Sequence, residues 1–427
     1  MWWTSSVGVV EHGMPGGVSR GAGVFGCFCG GCRGGGASVG GVRLIREMND
    51  EAALAVLVRL GRATAGELSV ELGLSRPTAY ALVARLEAAG LVVETGRRGG
   101  RTGPRARMYE LAPGLSRIVG VELSASRITV AVGDLAERPL ATASWPLHER
   151  EPEAVARLAG ALVRRLGGSP GAGAHAGCHA VVGLEGVLDP ETNAVTSAAV
   201  PEWEKPRFRE VLARELRSEV TFARVTELAA IAENTEGVAR GADSCVLFTA
   251  GDGVGVVVSV GGVVRAGARG HAGDVSRLPH PSAVADGSAA PADWGGVGSV
   301  LRSAGRLGLL GSGGGGEGGA CDALGLLESG ALVRLYGAEV AGGLAPVAVI
   351  LDPEIVVLSG PLCVAGGEVL RGEVERNLRD FLPSVPRVLL SRLGEQAVLR
   401  GALHVGRSRA QGFVYETARL SALPSGR

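Results

Sequence analysis

Five arginines lie close together in one glycine-rich stretch, and their side chains are well suited to binding phosphate. Residues 95–107 hold these arginines and no acidic residue. A guanidinium group binds phosphate oxygens in a fork, and the intervening glycines let the backbone approach a phosphate closely. The stretch predicts a phosphate-binding loop, with a solvated charged loop as the alternative. The arginines are Arg97, Arg98, Arg101, Arg105 and Arg107.

A second set of polar side chains precedes this loop on a predicted helix. Ser75 can cap the helix, Pro77 suits its first turn, and Gly90 can end it. Its inward positions are Ala79, Leu82, Val83 and Leu86. Its cap and outward side offer hydroxyl, phenol and guanidinium groups that can contact DNA: Ser75, Arg76, Thr78, Tyr80 and Arg85.

Two more helices and two strands are needed to position these side chains. Asn49 or Asp50 is expected to cap a first helix that ends at Gly61, and a second helix is expected over residues 64–72. Strands at 91–94 and 108–111 flank the arginine loop. Short helices joined by a glycine turn and followed by a hairpin predict a winged helix-turn-helix that binds a double-stranded DNA operator.

The overall composition makes any nucleic-acid affinity a local property. The chain has 43 basic and 43 acidic residues, so its net charge is zero. Hydrophobic residues at 46% and charged residues at 20% are ordinary for a globular protein, although 70 of 427 residues are glycine. No 18-residue apolar run or secretory signal pattern is present, so we expect a cytoplasmic protein that does not bind membranes.

The first 42 residues are predicted to be a disordered glycine-rich tail, because they show no helical or strand period. Cys27, Cys29 and Cys32 within it raise the possibility of a metal site. A zinc knuckle needs four ligands, and only three thiols are present, with no histidine nearer than His12. We therefore expect no bound metal and no cofactor.

Beyond residue 114 the pattern changes to repeated short strands. Three strands, a helix, a strand, a helix and a further strand are expected over residues 118–224, and a second copy of this scheme begins at residue 245. This βββαβα plan, used twice, resembles the two-lobed actin-like sugar kinase fold. The predicted class is therefore α/β, with an N-terminal winged helix-turn-helix domain.

Residues 43–408 resemble, from end to end, the transcriptional regulators of the ROK family, whose name groups repressors, open reading frames and kinases. The resemblance depends on the order and spacing of several segments together. They are residues 119–123, 182–190, 200–203, 251–255, 269–277 and 351–361, together with the predicted winged helix at 49–113.

The resemblance also shows where this chain departs from the family's kinases. The family's first phosphate hairpin reads Asp-Ile-Gly-Gly-Thr, and this chain has Glu122, Leu123, Ser124, Ala125 and Ser126 there. Asp252 replaces a threonine of the second phosphate turn, and Val225 stands where the family has its catalytic aspartate. A one-residue shift of the alignment would place Arg224 or Thr226 there instead, and neither is a competent base. Valine cannot accept a proton, so the departures predict that no residue is catalytic.

The sugar and zinc positions implied by the family also differ. Asp274 stands at the sugar-binding glutamate and Arg277 at the zinc-binding histidine, and residues 278–298 contain no cysteine. Arg224 adds a cation beside Val225. Arg224, Asp274 and Arg277 are therefore candidate ligand-binding residues for an acidic or phosphorylated effector, unless the arginines pair with Asp274 or Glu227 instead.

Together these patterns predict a transcriptional regulator that acts as a repressor, with a catalytically inactive, sugar-kinase-like effector domain. The expected parts are a tail at 1–42, the DNA-binding domain at 43–113, a degenerate ROK domain at 114–408 and a tail at 409–427. We expect a homodimer or higher homo-oligomer that senses a sugar or sugar phosphate. The alternative is an active or bifunctional ROK sugar kinase.

Overall fold

The computed structural model describes residues 39–98, 106–113, 115–135, 141–167, 177–189, 192, 194–197, 200–205, 207–251, 253–275, 295–309 and 320–421. At residues 39–43, 98, 187, 320–322 and 413–421 within these ranges, it describes the backbone only. The predicted tail at 1–42 and its three cysteines lie outside the description apart from residues 39–42. Arg101, Arg105, Asp252 and Arg277 also lie outside it.

The N-terminal domain has the predicted winged helix-turn-helix arrangement. Its small antiparallel sheet has the strand order β1-β3-β2, and the short β1 was not predicted. The elements are α1 (Val39–Leu60), β1 (Arg62–Thr64), α2 (Ala65–Glu71), α3 (Arg76–Ala88), β2 (Val92–Arg98) and β3 (Ala106–Leu111).

Local capping explains the two short helices. The Thr64 hydroxyl accepts the Glu67 amide at 3.2 Å, and the Glu67 carboxylate accepts the Thr64 amide at 2.8 Å, which forms a capping box at the start of α2. Ser75 accepts the Thr78 amide at 3.3 Å at the start of α3. Gly73 connects the helices with φ +63°. The predicted inward residues of α3, from Ala79 to Leu86, are all buried.

The start of the first helix differs from the prediction. Helix α1 begins at Val39, so Asn49 and Asp50 are interior residues of the helix and do not cap it. Asp50 is 3% exposed and accepts hydrogen bonds from Arg85 of α3. The buried carboxylate that suggested a cap therefore joins two helices.

The first lobe of the larger domain is built on a five-stranded sheet with the order β10-β7-β4-β5-β6. β4 pairs antiparallel with β5 and parallel with β7. The elements are β4 (Ser116–Leu123), β5 (Arg127–Asp134), β6 (Ala141–Pro146), α4 (Pro152–Arg165), β7 (Gly177–Leu184), β8 (Val187–Leu188), β9 (Val195–Thr196), α5 (Arg207–Leu216), β10 (Glu219–Arg224) and α6 (Val225–Thr235).

The second lobe repeats this topology with the order β13-β12-β11-β14-β15. The central strand again pairs antiparallel on one side and parallel on the other. The elements are β11 (Ser244–Ala250), β12 (Val254–Val260), β13 (Val263–Val264), α7 (Val297–Arg306), α8 (Ala320–Leu326), α9 (Gly330–Leu351), β14 (Ile355–Ser359), α10 (Pro361–Leu378) and β15 (Arg387–Leu390). The last helix, α11 (Ala397–Ser421), returns to the first lobe.

Helix α11 joins the cores of the domains. It packs against α6, β4 and β7, and a Cβ added to Gly401 would lie 1.9 Å from the Leu228 carbonyl oxygen of α6. Further along, Leu403 and Ala410 share one hydrophobic core with Leu54 and Leu57 of α1. Because α11 continues to Ser421, the predicted tail at 409–427 begins inside this helix.

Among the described helices, α9 is long and apolar enough to cross a membrane by length and composition, with a mean hydropathy of 1.3 in its best window. Of that window, 56% is buried inside the protein. Tyr336 on α9 is fully buried and donates to the Gly295 carbonyl at 2.6 Å. These contacts are those of a core helix of the second lobe.

Candidate functional site

The start of α3 presents the side chains predicted to contact DNA. Arg76 is exposed, and Tyr80 is 56% exposed. The Ser75 hydroxyl lies 2.7 Å from the Thr78 hydroxyl, and both groups belong to the helix cap. Arg76 and Tyr80 are therefore the residues of α3 that this surface offers most openly to a partner.

Arg85, which was predicted to face DNA, is bound to a carboxylate of helix α1. Its Nε donates to Asp50 Oδ2 at 3.0 Å and its Nη2 donates to Oδ1 of the same carboxylate. The Arg85 side chain is 36% exposed and the Asp50 side chain 4%. A bidentate pair with a buried carboxylate fixes the guanidinium, so Arg85 joins α3 to α1, and its predicted contact with DNA stays a prediction.

The wing places two exposed arginines around one carboxylate. Arg97 Nε lies 3.8 Å from Glu94 Oε1, and Arg107 Nη1 lies 3.4 Å from Glu94 Oε2. The two guanidinium side chains are 58% and 55% exposed. Exposed ion pairs of this kind contribute about 0–1 kcal/mol, so a phosphate can replace Glu94 as the partner. Arg98 lies on β2 opposite Ala106 of β3.

The role of Glu94 was not predicted, because the acid-free stretch was counted from residue 95. A β-bulge between Glu94 and Gly96 shifts the register of the hairpin at this point. The signal in the sequence was the acidic residue immediately before the arginines.

A second candidate site lies in the ROK-like domain at the carboxyl ends of β4, β7 and β10, which are parallel and meet at one sheet edge. Glu122 lies there on β4. The pKa of Glu122 is raised to about 7, chiefly because its carboxyl is buried and further because the charges of Glu185 and Glu395 oppose ionisation, while Arg127 acts in the opposite direction. This carboxyl is therefore partly protonated near neutral pH.

The hairpin turn after Glu122 is closed by its own hydrogen bonds. The Ser124 amide donates to the Arg127 carbonyl at 3.0 Å, and the Ser124 hydroxyl accepts the Ser126 amide at 3.4 Å. Arg150 Nε donates to the Ala125 carbonyl at 3.2 Å. Side chains and internal contacts therefore occupy a turn that is glycine-rich in the kinases it resembles.

Arg224 lies at the end of β10 with its guanidinium directed into the protein. Its Nη1 donates to the carbonyls of Gly270 at 3.1 Å and Ala272 at 2.9 Å, and lies 3.9 Å from Glu227 Oε1. Burial raises the pKa of Glu227 and the charge of Arg224 lowers it. Pairing within the protein, the predicted alternative to binding an acidic effector, is the arrangement observed for Arg224.

The other candidate residues are placed less completely. Asp274 is half-buried, and its amide donates to the His271 carbonyl at 3.1 Å. Arg277 lies outside the described residues. Val225 is the first residue of α6 and packs beside Gly183 of β7. A Cβ added to Gly183 would lie 3.4 Å from the Cγ1 atom of Val225.

Trp203 belongs to the hydrophobic core of the first lobe. It is 1% exposed, stacks on Phe208 with ring centroids 5.8 Å apart, and donates from Nε1 to the Arg150 carbonyl at 3.1 Å. In the part of the chain that the structure describes, no group of three or more His, Cys, Asp or Glu residues is placed to hold a metal ion.

Comparison with known proteins gives two matches along the chain. The ROK family model matches residues 118–283, and the model of the sugar-specific transcriptional regulator TrmB matches residues 47–113. A search of curated proteins gave no match.

Several solved structures share the fold. A ROK family transcriptional regulator described as a homologue of E. coli MLC protein has 16% identity and a TM-score of 0.66, with 88% of this chain and 99% of that chain covered. The ROK hexokinase from Thermus thermophilus has 23% identity and a TM-score of 0.53, covering 69% and 99%. A Streptomyces griseus ROK family glucokinase has 23% identity and a TM-score of 0.53, covering 68% and 99%.

The shared architecture is that of a two-lobed sugar-kinase-type domain, and the regulator structure extends the match over more of the chain than the two kinase structures do. Residues 118–283 thus match the ROK family and residues 47–113 match the TrmB model, and the fold of the chain is similar to that of a solved ROK family transcriptional regulator.

Proposed function

We propose that the protein is a transcriptional repressor that binds a double-stranded DNA operator through α3 and the wing. The observation that carries this proposal is the exposure of Arg76, Tyr80 and Arg97 on one domain whose sequence matches a DNA-binding regulator model. Base contacts from α3 would select the operator, and wing arginines would bind the phosphate backbone.

The effector domain, in this proposal, does not phosphorylate sugars. Val225 presents only hydrocarbon at the position that the resemblance assigns to the general base. The first hairpin turn is closed internally by Ser124 and Ser126, which leaves less room for backbone amides to approach a phosphate. Losing a positioned base alone lowers a rate by about 10²–10⁴.

A sugar or sugar phosphate is the proposed effector, consistent with the sugar-specific model matched by residues 47–113. A homodimer or higher homo-oligomer in the cytoplasm would read an operator with two half-sites about 34–36 Å apart.

Operator binding is tested by capturing sheared genomic DNA with the full-length protein and footprinting the enriched fragments. We expect protected sequences with two-fold symmetry, and release when an effector sugar or sugar 6-phosphate is added. Uniform recovery of all fragments, with no protected sequence, would contradict specific operator binding.

Catalytic inactivity is tested by a coupled assay with ATP and glucose or N-acetylglucosamine, with calorimetry on the same protein. We expect no turnover above the background of a protein-free reaction. Turnover that disappears in a Glu122→Gln variant would instead establish the alternative, an active or bifunctional sugar kinase.

A further inference from the structure

Helix α6 follows β10 directly and packs between the two lobes: its Leu228 shares a core with Val181 of the first sheet and Ala402 of α11. β10 pairs with β7 in the first sheet, whereas Ala229 and Ala230 of α6 pack with Leu247 and Val257 of the second sheet. Arg224 is the residue at the junction of β10 and α6. A change in the angle between the lobes therefore has to alter the surroundings of Arg224.

The Arg224 side chain does not cap α6, although it occupies the N-cap position. It is 9% exposed and reaches the loop that follows β13, where Nη1 donates to two backbone carbonyls. A buried charge is stable only when it is hydrogen-bonded and paired, and the Glu227 carboxylate 3.9 Å away supplies the opposite charge.

The loop that accepts these hydrogen bonds is held firmly by the second lobe. The Val256 amide of β12 donates to the Gly273 carbonyl at 3.1 Å, and a Cβ added to Gly273 would lie 1.7 Å from the Val256 carbonyl oxygen. Arg265 at the start of the loop donates from its amide to Val258 at 2.9 Å. The contact from Arg224 therefore joins the first lobe's last strand to the second lobe.

We propose that Arg224 is a latch at the hinge between the lobes, holding residues 265–275 against the β10–α6 junction without any small molecule. Opening of the hinge breaks both carbonyl hydrogen bonds at once and leaves a buried guanidinium with a single carboxylate. The latch goes beyond the proposed function, since it concerns the arrangement of the lobes and can be tested whether or not the protein binds DNA.

Removal of the guanidinium leaves two carbonyl oxygens and one carboxylate, a set of acceptors that fits a small hydrogen-bonding cation. Free guanidinium ion is therefore the probe for the vacated position. The variants are Arg224→Ala, Arg224→Lys and, as a matched control, Arg214→Ala on α5, whose side chain is 69% exposed.

Amide hydrogen exchange of the full-length protein provides the readout. In Arg224→Ala, we expect exchange in residues 265–275 to become faster by on the order of tenfold to a hundredfold, with little change in β14. Arg224→Lys should retain part of the protection, and Arg214→Ala should match the wild type. Millimolar guanidinium chloride should restore protection in Arg224→Ala, whereas sodium chloride at equal ionic strength should not.

Unchanged exchange in residues 265–275 of Arg224→Ala would overturn the latch. An equal acceleration in those residues and in β14 would also overturn it, because Arg224 would then support only global stability. If Arg224→Ala fails to fold, the Arg224→Lys variant decides: local acceleration relative to Arg214→Ala supports the latch, and its absence overturns it.

Discussion

The arginines of the N-terminal wing and the arginine of the lobe junction differ in what surrounds them. The side chains of Arg97 and Arg107 are 58% and 55% exposed, and both form an ion pair with the same carboxylate, that of Glu94. Arg224 is 9% exposed and donates to two carbonyls in a different lobe. The same side chain is thus open to an external anion in one region and fixed by internal acceptors in the other.

The difference follows from the local backbone. The wing is a two-stranded hairpin with few atoms around its side chains, so water and Glu94 are the competitors of a phosphate. At the junction, a glycine-containing loop supplies the Gly270 and Ala272 carbonyls that accept hydrogen bonds from the Arg224 guanidinium. Local packing therefore decides whether an arginine can serve as a binding group.

The largest effect should come from the wing. Changing Arg97, Arg98 and Arg101 to alanine should weaken binding to all DNA sequences and lower the slope of log affinity against log salt by about 2 to 3, because each phosphate contact contributes about 0.9. Fluorescence anisotropy over a range of salt concentrations measures both quantities.

Changes at Arg76 or Tyr80 should alter the sequence preference instead.

A matched control removes the same number of charges elsewhere. Arg157, Arg164 and Arg165 are exposed on α4 of the first lobe, and their replacement by alanine should leave the salt slope unchanged. Equal slopes for the wild type and the wing variant would show that the exposed wing arginines are not phosphate contacts.

An intermediate effect is expected from Arg85, whose guanidinium is fixed by Asp50 in the way that Arg224 is fixed by the loop carbonyls. Arg85→Ala leaves the buried Asp50 carboxylate without its bidentate partner, which should lower the free energy of unfolding by on the order of 2 kcal/mol. Urea denaturation measures this loss. Arg97→Ala should change stability by less than about 0.5 kcal/mol, and equal losses in the two variants would remove the distinction between exposed and fixed arginines.

The smallest effect concerns pH and the Glu122 carboxyl. Its pKa is raised to about 7 in the folded protein from a usual value of 4.5, so the folded state binds the proton more tightly than the unfolded state. The contribution of Glu122 to the free energy of unfolding should therefore fall as the pH rises from about 4.5 through 7, and then level off. Glu122→Gln should raise the melting temperature relative to the wild type at pH 8 but not at pH 4. A constant difference across this range would contradict a buried titrating carboxyl.

Much of the fold could be predicted because strong local signals coincide. Ser75, Pro77 and Gly90 mark the ends of α3 by capping and turn chemistry, and the strand runs of both lobes follow from their apolar periods. The first helix was placed wrongly at its start, because Asp50 satisfies the local rule for a cap and is bonded instead to Arg85, which lies on another helix. A side chain that has two suitable partners cannot be assigned from local rules alone.

The candidate sites divide along the same line. The sequence alone determined the types of side chain available: arginines around a glycine-rich hairpin, and valine at the position that the resemblance assigns to the general base. The tertiary structure decided which charges remain open, since Glu94 lies beside Arg97 and Arg107. It also decided that the carbonyls of residues 270 and 272 meet Arg224. Hydrogen bonds between residues 46 and 48 positions apart depend on how two lobes pack, and no local pattern in the chain records that packing.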